Sequence, residues 1–155
     1  MAVSKPKSSA AAQARQAGRR AARMSAVQAL YQWEMAKMSA REVVAEFITH
    51  HLTPDCDRSL FGTLVMGVEG DLPSVDHMVQ GALSETFDFN RLEAVLRQIL
   101  RAAVFELAHQ SEPPARVVIS EYVAVTLAFF TPAESGLVNG VLDKLARVVR
   151  PAEFG

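Results

Sequence analysis

Between Ala21 and Val149 the apolar residues recur at three- and four-residue spacing with almost no interruption, and that period suits helices and little else. From about Ala21 to Lys37, Met24, Val27, Leu30, Tyr31, Glu34 and Met38 fall on one stripe. Ser39 followed by Glu42 has the form of a capping box, after which Val43, Val44, Phe47, Ile48 and Leu52 carry the period to Pro54. Asp57 is placed to cap a third helix over Leu60, Phe61, Leu64, Val65 and Val68, fraying at Gly67 and Gly70. Pro73 suits the first turn of a fourth, faced by Val75, Met78, Val79 and Ala82. Asn90 with Glu93 then opens the longest stripe, from Leu92 through Val95, Leu96, Ile99, Leu100 and Ala103 to Leu107, and Pro113-Pro114 stops it.

The segment Arg116 to Phe130 is the ambiguous one. Val117, Val118 and Ile119 alone would pass for a strand, yet Ile119, Tyr122, Val123 and Thr126 keep a helical spacing and no second strand is available to pair with it. A last stripe, Leu137, Val138, Val141, Leu142, Leu145 and Val149, runs in phase through Asn139-Gly140, so that dipeptide lies inside the first turns of a helix and not in a hairpin. Gly140 there costs about 1 kcal/mol against Ala, which asks for close packing or for a ligand's approach to the backbone. The expected fold is all-α, a compact bundle of about seven helices, with one domain over residues 19–151 and a flexible basic tail over 1–18. In a chain of 155 residues this needs neither disulfide nor metal.

Charge is unevenly placed. Lys5, Lys7, Arg15, Arg19, Arg20 and Arg23 precede the first acidic residue, Glu34, while the rest of the chain is acidic on balance. A basic arm on an acidic body suits an anionic partner, nucleic acid first. Because Arg19, Arg20 and Arg23 run directly into the first amphipathic stripe, they are expected on its first turn. There they would join the positive end of the helix dipole in one anion site.

Motifs of catalysis are missing from the sequence. His50 and His51 are adjacent and so point to different faces, His77 and His109 stand alone, and Cys56 has no second cysteine at zinc-site spacing. The Asp55-Cys56-Asp57 stretch reads as a loop that ends one helix and caps the next. Glu121 and Asp143 lack a second titrating partner in the sequence. Neither a nucleophile elbow nor a phosphate-cradling glycine loop is present. The expectation is a binding protein and not an enzyme, with no cofactor and no metal. The lone cysteine, the missing membrane span and the missing apolar leader point to the cytoplasm.

Four stretches together carry a family likeness. Arg19-Arg20-Ala21-Ala22-Arg23-Met24-Ser25-Ala26-Val27-Gln28-Ala29-Leu30-Tyr31-Gln32-Trp33 resembles the N-terminus of the NusB family of bacterial transcription antitermination factors. The likeness returns in Val117-Val118-Ile119-Ser120-Glu121-Tyr122-Val123 and in Val138-Asn139-Gly140-Val141-Leu142-Asp143-Lys144-Leu145. The I-L-R-x-A-x-x-E-L pattern from Ile99 to Leu107 matches as well. The resemblance extends from about Arg19 to Pro151.

The resemblance implies a seven-helix fold and a role in binding single-stranded boxA RNA of ribosomal RNA leader transcripts. It implies a partner, the small-subunit ribosomal protein that doubles as Nus factor E, and assembly with other Nus factors on RNA polymerase. The RNA surface so implied comprises Arg19, Arg20, Arg23 and Tyr31, extending to the loop and start of the last helix around Ser135 to Asn139. Arginines would position phosphates, Tyr31 would supply a stacking face, and Gln28, one turn before it, would read a base edge. One departure stands out: where many family members carry Lys-Phe before Val-Asn-Gly, this chain has Gly136-Leu137. A cation and a ring are absent together, and the longer arm with Lys5, Lys7 and Arg15 is the candidate compensation. Two other readings compete. One is the NusB-like N-terminal domain of a ribosomal RNA cytosine methyltransferase, which would require a cofactor-binding region beyond Gly155. The other is a helical adaptor that binds protein only. Apolar residues left over on helix faces would serve either a partner or a homodimer.

Overall fold

A computed structural model describes residues 7–155 and contains seven α-helices among them. They are α1 (Lys7–Ala36), α2 (Ala40–His50), α3 (Arg58–Gly70), α4 (Leu72–Ala82), α5 (Ala94–His109), α6 (Ala115–Phe129) and α7 (Pro132–Val149). Short 3-10 turns occupy Phe89–Arg91 and Pro151–Glu153. No described helix is long and apolar enough to cross a membrane.

Helix α5 is the axis. Every residue from Gln98 to Leu107 is buried, whereas its sequence reads as one stripe, because α1, α3, α4, α6 and α7 all pack against it. Three polar residues in that run, Gln98, Arg101 and Glu106, are each hydrogen-bonded, and no buried side-chain polar atom among the described residues lacks a partner. Arg150 closes the end of α5: its Nε donates to the Leu107 carbonyl at 3.0 Å and its Nη1 to the Pro113 carbonyl at 2.7 Å. A cation is well placed there, against the negative end of the helix dipole.

Several helix starts are where local chemistry puts them. The Ser39 hydroxyl accepts from the Glu42 amide (3.1 Å), the Asp57 carboxylate accepts from the Leu60 amide (2.9 Å), and Pro73 lies in the first turn of α4. Three starts differ from expectation. Helix α1 begins at Lys7, about four turns before Ala21, because the alanine-rich stretch from Ala10 to Ala17 has high helix propensity without any apolar stripe to announce it. The boundary expected at residue 18 therefore falls inside a continuous helix. Gly18 sits against the loop before α3, its carbonyl accepting from the Asp57 amide at 3.0 Å, and a Cβ there would lie 2.6 Å from the Asp55 carbonyl. Lys5 lies outside the described residues.

Asn90 is not the cap of α5. It belongs to the 3-10 turn that Asp88 caps, and Glu93 caps α5 by accepting from the Val95 amide at 2.9 Å. Helix α7 starts at Pro132 behind a Thr131–Glu134 capping box, so the whole of Ser135 to Asn139 is helical and not a loop. Around Gly140 there is open space, with nothing within 4 Å of a Cβ built on it, so close packing is not its reason.

Candidate nucleic-acid interface

Because α1 is one long helix, its arginines stand in its middle, and the dipole argument for an N-terminal anion site fails. Position on the helix circumference decides what each can reach. Arg23 precedes Val27 by four residues and Leu30 by seven, so it falls on the core stripe. It is 2% exposed, and its Nε and Nη2 donate to the two oxygens of the buried Glu106 at 2.9 and 2.7 Å. Burial opposes the guanidinium charge, but Glu106 outweighs it and holds the Arg23 pKa above its ordinary value. The Tyr122 hydroxyl donates to the same carboxylate at 2.8 Å, and burial with that charge pushes its pKa well above the usual phenol value. Arg23 is therefore a core ion pair and is unavailable to a phosphate.

The other two arginines face outward. Arg20 is exposed, and its Nε donates to both oxygens of Glu121 on α6 at 3.0 Å. Arg19 stands 3.7 Å from Asp57. Each surface arginine thus has a carboxylate partner that an incoming phosphate would displace, a modest barrier because exposed pairs are worth roughly 0–1 kcal/mol.

Gln28 and Tyr31 share the Arg20 face of α1 and are exposed, Tyr31 by 41%. No hydrogen bond among the described residues uses the Gln28 amide. Its neighbour Gln32, by contrast, donates to Glu46 at 3.0 Å. Gln28 and Tyr31 line two hollows. One, of about 250 Å³ and open to solvent, is lined by Val27, Gln28 and Tyr31 of α1, Val95 of α5 and Phe129 at the end of α6. The other, of about 530 Å³, lies toward Met35, Phe47 and His51.

Two expected contacts on α7 part company. Ser135 precedes Val138 by three residues and Leu142 by seven, again the core stripe; it is buried, and its hydroxyl donates to the Pro132 carbonyl at 2.9 Å. Asn139 is exposed in a groove between α6 and α7 with Arg116, Ser120 and Asp143. That groove shares no lining residue with the hollows beside Tyr31.

Sequence reasoning missed two further features. Phe129 continues the Val118, Tyr122, Val125 stripe of α6 and reads as core, yet the helix end carries it past the core to 40% exposure beside Tyr31. Glu34 sits on the apolar stripe of α1, and a charge in that position was the available signal of an ion-pair network. Arg97, Gln98 and Arg101 all donate to it, while Arg101 also donates to Asp76 at 2.8 Å and lies over the Trp33 and Phe89 rings. Burial raises the Glu34 pKa, but these donors prevail and hold it below its ordinary 4.5.

Comparison with known proteins follows the same lines. The NusB family model matches residues 20–147. The transcription antitermination protein NusB of Nitrobacter winogradskyi is 43% identical over 149 residues, covering 90% of this chain and 92% of that protein. Its counterpart in Bradyrhizobium diazoefficiens is 41% identical over 145 residues, covering 88% of each. Among solved structures, T. maritima NusB superposes with a TM-score of 0.76 at 26% identity, over 87% of this chain and 95% of that one.

Proposed function

The chain belongs to the NusB family of transcription antitermination proteins, and from that premise we propose that it binds single-stranded boxA-type RNA of ribosomal RNA leaders. It does so together with the small-subunit ribosomal protein that serves as Nus factor E. The pair then joins other Nus factors on RNA polymerase in the cytoplasm and supports processive elongation. The role is one of binding and carries no catalysis. The match to antitermination proteins over about nine-tenths of their length supports this reading over a methyltransferase domain.

The observation that carries the proposal is the exposed face of α1, where Arg20, Gln28 and Tyr31 stand within three turns of one another. Arg20 takes a phosphate in exchange for Glu121, and Arg19 does the same in exchange for Asp57. Tyr31 stacks on a base, and the Gln28 amide reads an edge. Arg15, with Lys5 and Lys7 before it in the sequence, adds positive charge for the strand. Arg23 and Ser135 are left out of this surface because their polar groups are engaged inside the protein. Asn139 contributes from the α6–α7 groove to a more distant part of the strand.

Fluorescence anisotropy of a labelled boxA-type RNA against a scrambled control, with and without the ribosomal-protein partner, tests the reading. Preferential binding tightened by the partner is expected. With about four phosphates neutralised, log K should fall against log salt with a slope of about −3. Equal, salt-independent binding to both RNAs would refute the proposal and leave the protein-only adaptor. A homodimer, seen by sedimentation, would be relevant only if RNA or the partner dissociates it.

A further inference from the structure

The smaller hollow beside Tyr31 has the composition of a receptor for one flat ring. Its walls are Val27, Gln28, Tyr31, Val95 and Phe129, drawn from three helices, and the surface they present is almost wholly apolar. At about 250 Å³ it holds roughly eight water volumes of about 30 Å³ each, the scale of a single heterocycle with little to spare. Two aromatic rings, Tyr31 at 41% and Phe129 at 40%, stand half-exposed at its rim on different elements. Together these walls offer stacking and apolar contact.

We propose that this hollow is a base slot, in which one unpaired RNA base inserts beside Tyr31 and against Phe129, and that Phe129 is a specificity-determining residue. The proposal rests on the RNA-binding reading above and names the part of the strand that this site holds. The charge around the hollow favours a base over an apolar side chain of a protein partner. The same face of α1 also carries Arg20, and the chain before Glu34 contains six cations and no carboxylate, which suits a phosphate backbone leading into the slot. Backbone contacts alone are indifferent to sequence; a base held out of the stack between side chains is where sequence is read.

The test couples Phe129→Ala to single abasic substitutions along a short labelled boxA-type RNA, read by anisotropy. Phe129→Ala should weaken binding by about 5- to 150-fold, the range of one base–aromatic stack, with the salt slope unchanged because no phosphate contact is touched. At one position, removing the base should weaken the wild-type complex by a similar factor and the Phe129→Ala complex by less than twofold. Phe129→Leu keeps apolar bulk at the end of α6 and serves where Ala disturbs folding; its thermal unfolding should match wild type while the same coupling is lost. Binding within twofold of wild type for both variants would overturn the slot, and so would a loss that is equal at every abasic position. If Arg20→Ala and Tyr31→Ala weaken binding while the Phe129 variants do not, the slot falls and the RNA reading stands. If wild type binds no RNA, both fall.

Discussion

Replacing Arg23 separates two roles for an arginine that sequence alone makes look alike. The guanidinium is 2% exposed and grips both oxygens of Glu106, which is fully buried and also accepts from Tyr122. Arg23→Met removes the positive partner and leaves a buried carboxylate held by a single phenol. Breaking a buried pair from one side costs about 3–5 kcal/mol, mostly the penalty of the stranded charge. For a domain of this size each kcal/mol shifts the melting temperature by roughly 2–4 °C, so a fall of about 6–20 °C is expected. Adding salt should not lessen the effect, since the pair is screened from solvent. The triple change Arg23→Met, Glu106→Leu, Tyr122→Phe removes every member of the network at once and should recover most of the loss. Arg20→Ala is the control: Arg20 is itself exposed and Glu121 is only partly buried, so stability should fall by about 1 kcal/mol, well short of Arg23→Met, while RNA affinity falls. Thermal and urea unfolding measure the first quantity, and anisotropy at a temperature where both variants are folded measures the second. An Arg23→Met protein that melts like wild type but loses RNA affinity with a shallower salt slope would refute the reasoning and return Arg23 to the RNA surface.

Glu121→Gln should strengthen RNA binding by up to about fivefold at low salt, because the carboxylate competes with phosphate for Arg20; unchanged affinity would show that the pair opens freely. Acid unfolding should reflect Glu34. Its pKa is lowered in the folded state, so it contributes stability that is present above its unfolded value of about 4.5 and is lost as pH falls through the lower folded value. Glu34→Gln should flatten the acid limb of stability measured by urea titration, and an acid limb identical to wild type would dismiss that assignment. Two glycines should behave oppositely in thermal melts. Gly67→Ala forces a Cβ to 2.1 Å from the Phe105 ring and should cost about 1–3 kcal/mol, whereas Gly140→Ala meets open space in a helix and should gain up to about 1 kcal/mol. If Gly140→Ala stabilises the protein yet weakens RNA binding, the bare backbone there is a contact.

What was readable in the sequence is what depends on near neighbours. The 3.6-residue period located each helix and its apolar face, and short-range signals, the caps Ser39 and Asp57 and the first-turn Pro73, placed three starts correctly. Even the burial of Arg23 and Ser135 was latent in their spacing to Val27 and Val138. What hid it was charge and polarity, which read as surface until a partner is known. The start of α1 was missed for a different reason: alanine-rich helix carries propensity without a stripe, so no period marked it.

The partners themselves were beyond local reasoning. Glu106 lies 83 residues from Arg23, and Glu121 lies 101 residues from Arg20. Phe129 reaches Tyr31 only because α6 packs beside α1 with its end overhanging the core. Sequence alone determined an all-helical chain with a basic start and the faces its helices bury, because hydrophobic spacing is a property of each helix by itself. Which arginine meets a carboxylate in the core, which is left for a phosphate, and which two rings flank one hollow were decided by tertiary packing. These depend on how one helix is turned against another, and periodicity, which fixes a face without naming its neighbour, holds no record of that.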